Sequence, residues 1–79
     1  MRILDVNGDK TLKSVSLFLT INEAEELIDS LSCLVEKPEN NHTHINDEEF
    51  NHEITASIYT SDNIKHYNER SQKIILNDE

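Results

Sequence analysis

Seventy-nine residues with sixteen Asp and Glu against seven Lys and Arg carry a formal net charge of −9. A chain this short has room for one core, so a single acidic domain over residues 1–79 is expected. A direct nucleic-acid reader is excluded, because phosphate is held by clustered Lys and Arg that release counterions, and the sequence has no such cluster.

A domain of this size buries only about 60% of the surface its unfolded chain exposes, so partner binding or a homodimer would add stability it otherwise lacks. Cys33 is the sole cysteine and cannot pair within the chain, which suits a reducing compartment. Met1, Arg2, Ile3, Leu4 and Asp5 form neither a signal peptide nor a membrane span, so a cytoplasmic protein of bacterial type is expected, with no membrane partner.

Met1–Val6 is a short apolar-leaning run ended by Asn7-Gly8, the pair best suited to a tight hairpin turn. Across Thr11–Leu19, Val15, Leu17 and Leu19 share one side and Ser14, Ser16 and Phe18 the other, which predicts a second strand paired with the first.

Thr20 stands three residues before Glu23, the spacing at which the two side chains satisfy each other's free amides at a helix start. Ala24, Leu27, Ile28, Leu31, Leu34 and Val35 recur at three- and four-residue steps with Glu23, Glu25, Glu26, Asp29 and Glu36 between them. That pattern predicts an amphipathic helix with an acidic outer face, ending near Lys37 because Pro38 cannot continue it. The polar stretch Pro38–Glu49 reads as a loop.

Phe50–Thr60 places Phe50, Ile54, Ala56 and Ile58 on one side and Asn51, Glu53, Thr55, Ser57 and Tyr59 on the other, as a strand does. Ser61 or Asp62 could cap a second helix with Ile64, Tyr67, Ser71, Ile74 and Ile75 in one stripe, while Ile74-Ile75-Leu76 also fits a short terminal strand. The expected class is α+β in the order β-β-α-β-α: a small antiparallel sheet of three or four strands with two helices on one face.

The histidines hold the only side-chain chemistry of note. His42 and His44, two apart, would point the same way in a strand and could give two nitrogens to zinc, with His52, Asp47 or Glu49 completing the site. The plainer alternative makes His42 and His44 surface residues and packs His52 beside Phe50 and Ile54. Gly8 is the only glycine, which rules out both the dinucleotide fingerprint and the Walker phosphate loop. No nucleophile motif surrounds any serine, and a lone cysteine in a helix is usually inert. Neither an enzyme nor a cofactor is expected.

Phe18-Leu19-Thr20, Glu23-Ala24, Glu26-Leu27, Leu31, His42-x-His44-Ile45 and Glu53-Ile54-Thr55 with Ile58 resemble, over residues 18–75, small immunity proteins of bacterial polymorphic toxin systems. The resemblance implies a protein that binds and neutralises a cognate toxin without chemistry of its own, and it carries over no contact residue. On charge alone, a basic partner such as a toxin or nuclease-like enzyme would meet Glu25, Glu26 and Asp29 on the helix, or Asp47, Glu48 and Glu49 in the loop. Each of these acids taken singly reads first as a solvated surface residue. A phage-type anti-defence inhibitor and a metal- or small-ligand-binding domain built on His42, His44 and His52 are the alternatives.

Overall fold

A computed structural model describes residues 1–38 and 42–79. Over these residues the chain is α+β, with two helices and two separate two-stranded antiparallel sheets. They belong to two compact units, residues 18–59 and residues 1–17 with 60–79.

In the unit of residues 1–17 and 60–79, strand β1 (Leu4–Asp5) pairs with β2 (Lys10–Thr11) in the register Leu4 to Thr11 and Asp5 to Lys10. The expected hairpin forms, but its loop is Val6–Asp9 and the positive φ falls on Asp9, at 50°, rather than on Gly8. Gly8 serves close approach: its amide donates to Asp5 Oδ1 at 3.1 Å, and a Cβ there would lie 2.7 Å from Asp5 Oδ2. The predicted strand over Thr11–Leu19 is corrected, since pairing stops at Thr11 with one more bond from the Leu12 amide to the Ile3 carbonyl. Alternation alone cannot supply a partner strand, and residues 14–20 have no regular structure.

The α-helix of this unit, the second in the chain, is α2 (Glu69–Asn77), preceded by a short 3-10 helix at Ile64–His66. It starts later than the expected Ser61 or Asp62 because Asn68 is the cap, its Oδ1 accepting the Ser71 amide at 2.7 Å. Residues 74–76 are helical, not a terminal strand, and Ile74 and Ile75 are buried. Arg2 Nε donates to the Ile74 carbonyl at 3.0 Å, Lys13 Nζ reaches Asp78 Oδ2 at 3.1 Å, and Arg70 Nε reaches Asp9 Oδ1 at 2.7 Å. These contacts tie α2 to the N-terminal segment.

In the unit of residues 18–59, helix α1 (Ile21–Glu36) begins with the predicted capping box. Thr20 Oγ1 accepts the Glu23 amide at 3.1 Å and Glu23 Oε1 accepts the Thr20 amide at 2.8 Å. Lys37 ends the helix as expected. Strand β3 (His42–Asn46) then pairs antiparallel with β4 (Glu53–Ser57), with Ile45 opposite Ile54 and His44 opposite Thr55. Much of the stretch read as a Pro38–Glu49 loop is therefore strand, while its residues 39–41 lie outside the described residues. Thr43, Ile45, Ile54 and Ala56 share the inner face, α1 packs against β3, and Leu34 and Ile45 are the buried residues of these two elements.

Two corrections follow for the architecture. The described strands make two ribbons rather than one sheet of three or four, and the order gains a strand, β-β-α-β-β-α. The gain arises because His42-Thr43-His44-Ile45-Asn46 alternates exposed and inward residues while having only one strong apolar side chain, too weak a signal beside its polar neighbours.

Candidate functional site

The first turns of α1 and the turn between β3 and β4 enclose an open hollow of about 270 Å³, lined by Asn22, Glu23, Glu26, Asn46, Asp47, Glu48 and Phe50. Four of the seven are acids and none is Lys, Arg or His. The hollow lies wholly within residues 18–59.

Asp47 builds the turn. Its Oδ1 accepts the amides of Asn51 at 2.7 Å and His52 at 3.2 Å, and its Oδ2 lies 2.7 Å from His52 Nδ1. The Phe50 amide donates to the Asp47 carbonyl at 3.0 Å, closing a four-residue turn with Glu48 and Glu49 at its centre. The bond to the His52 ring, more than those to the amides, holds the Asp47 carboxyl below its ordinary value. Glu23 fastens the turn to the helix through Oε2, which accepts the Glu48 amide at 3.2 Å. Its carboxyl also lies below the ordinary value, chiefly through the Thr20 amide and then the Glu48 amide, against partial desolvation.

The acids thus divide by task. Glu23 and Asp47 spend their oxygens on the chain, whereas Glu26 and Glu48 make no side-chain hydrogen bond or ion pair among the described residues. Those two present charge to the hollow. Phe50 stands beside them, 78% exposed and with φ at 57°, a left-handed backbone that a bulky side chain adopts at a cost of about 1–2 kcal/mol.

Of the acids singled out from sequence, Glu26, Asp47 and Glu48 are brought together here. Glu25 and Asp29 are exposed on α1 but do not line the hollow, and Glu49 accepts from Asn51 Nδ2 at 3.3 Å outside it. Sequence reasoning missed Asn22, Asn46 and Phe50, and saw Glu23 as a cap and an outer-face acid but not as a tether of the turn. Phe50 was assigned to the inner face of a strand, and the positive φ that turns it outward leaves no mark in the residue pattern.

His42 and His44 lie on one face of β3, as expected of strand residues two apart, but His52 does not join them. His42 and His44 rings meet edge to face with centroids 4.8 Å apart, and His44 Nδ1 lies 2.7 Å from Glu53 Oε1 and 2.9 Å from Thr55 Oγ1. His52 is held at the far end of the ribbon by Asp47, and its expected packing with Phe50 and Ile54 is corrected: its side chain is exposed because residues 47–52 form the turn. Among the described residues no group of three or more His, Cys, Asp or Glu could hold a metal ion. Cys33 is exposed on α1. No described helix is long and apolar enough to cross a membrane.

No protein-family model, curated protein or solved structure matches the chain.

Proposed function

We propose that this chain is a small protein-binding inhibitor whose acidic hollow meets a basic surface on its target. The observation that carries this is the juxtaposition of two uncommitted carboxylates, Glu26 and Glu48, with an outward Phe50 on a turn pinned by Asp47 and Glu23. Aromatic anchors beside charged groups are the usual energetic centre of a protein interface, and a net charge of −9 steers a basic partner toward it. The turn is already fixed by four hydrogen bonds to the side chains of Asp47 and Glu23, so little ordering is left for binding to offset.

The resemblance to immunity proteins fits a cytoplasmic role in which the target is a cognate bacterial toxin. A phage-type anti-defence inhibitor would use the same surface against a different basic enzyme. The test is retention of a partner by the tagged protein from its own host at low and moderate salt, with identification by mass spectrometry. One basic protein held in stoichiometric amount and released by salt supports the proposal. A preparation that retains nothing at low salt overturns it.

A further inference from the structure

Helix α1 has two apolar stripes, and its packing on β3 accounts for one. Leu27 is half-buried and Leu34 buried, at a seven-residue interval, on the face toward the ribbon. Successive residues turn by roughly 100° about a helix, so Ile21, Ala24, Ile28, Leu31 and Val35 fall on a neighbouring face. Their spacings of three, four, three and four are those of a coiled-coil seam, with β-branched Ile21, Ile28 and Val35 at alternate places. Ile21 is 78%, Ile28 63% and Val35 70% exposed, and Leu31 is exposed as well. One exposed isoleucine is ordinary, but a seam of this regularity with four of its five positions exposed, Ala24 being half-buried, marks a contact surface.

The border of that seam indicates what covers it. Glu25, Asp29 and Glu36 run along the side away from Leu27 and Leu34, and Ile21–Glu36 contains no Lys, Arg or His. A second copy of α1 would set acidic helix against acidic helix on a chain already at −9, whereas Lys or Arg on a partner would pair with these carboxylates. We infer that this seam docks an amphipathic helix of a partner protein whose own apolar stripe is flanked by basic residues. The helix lies along α1, with its apolar side chains over Ile21, Ile28, Leu31 and Val35 and its cations beside Glu25, Asp29 and Glu36. The surface goes beyond the hollow, whose α1 residues Asn22, Glu23 and Glu26 lie on other faces of the helix.

The test is fluorescence anisotropy of the full chain with a designed three-heptad peptide carrying Leu at a and d and Lys at e and g, against the same peptide with Glu at e and g. The Lys peptide is expected to bind at least about tenfold tighter at low salt, and the double substitution Ile28→Gln with Val35→Gln to weaken it by about tenfold or more. Both positions are exposed, so the variant should fold, as circular dichroism will verify. Glu25→Lys with Asp29→Lys should reverse the preference between peptides. No binding, equal binding of the two peptides, or binding indifferent to the double substitution overturns the inference. So does a wild-type homodimer in light scattering that the double substitution dissolves, which would make a second copy the occupant.

Discussion

Glu23 Oε2 accepts the backbone amide of Glu48 at 3.2 Å, so one carboxylate at the start of α1 fixes the turn between β3 and β4. The same side chain completes the capping box through the Thr20 amide. Local helix chemistry and the shape of the hollow therefore share an atom group. Thr20→Ala removes only the cap and should cost about 1 kcal/mol in thermal unfolding. Glu23→Ala also releases Glu48, so it should lower Tm further than Thr20→Ala and speed hydrogen exchange at the Glu48 amide, while Thr20→Ala leaves that exchange unchanged. Equal exchange in both variants would separate the cap from the turn.

Acid should loosen the chain in a definite window. Glu23, Asp47 and Asp78 have carboxyls held below their ordinary values of 4.5, 3.8 and 3.8, by the Thr20 amide, the His52 ring and Lys13 respectively. A carboxyl depressed in the folded state binds its proton more readily when unfolded, so its stabilisation is full above the ordinary value and is lost as pH falls through the folded one. Melting curves should hold steady above about pH 5 and fall below about pH 4. Asp47→Asn should flatten that acid limb; an unchanged limb would remove Asp47 from the account.

The core of residues 18–59 is thin, with Leu34 and Ile45 as its buried side chains on α1 and β3. Leu34→Ala or Ile45→Ala should cost about 2–4 kcal/mol, a large part of what a domain this small possesses. Chemical denaturation is the measurement, with the double variant expected to fall short of the sum if the two side chains support each other.

Phe50 offers a substitution that divides stability from binding. Glycine accepts the left-handed backbone without strain but gains freedom when unfolded, two effects of about 1 kcal/mol and opposite sign. Phe50→Gly should therefore leave Tm nearly unchanged while removing the aromatic anchor. A large fall in Tm would instead make Phe50 a packing residue.

Much of the local structure was legible, because its causes are local. Thr20 and Glu23 announce the helix start, Pro38 its end, and Ile54 and Ala56 alternate within β4, although the strand runs only over Glu53–Ser57 and stops short of Ile58 and of the expected Phe50–Thr60 bounds. What escaped depends on distant partners or on single dihedral angles. Val15, Leu17 and Leu19 alternate as well as any strand yet have no pairing, and α2 is capped by Asn68 while Ser61 and Asp62 lie inside the Thr60–Asn63 turn. For the site, charge pointed to Glu26, Asp47 and Glu48, but their meeting depends on the β3–β4 register and on the bond from Glu48 to Glu23.

The affinity of the retained partner for wild-type protein, Phe50→Gly and Glu26→Gln with Glu48→Gln, measured side by side by titration calorimetry, tests the central claim most directly. The hollow account predicts that Phe50→Gly weakens binding by about tenfold or more at an unchanged Tm, and that the double glutamine variant loses both affinity and salt dependence. Undiminished affinity in both variants would contradict it and move the interface elsewhere on the chain.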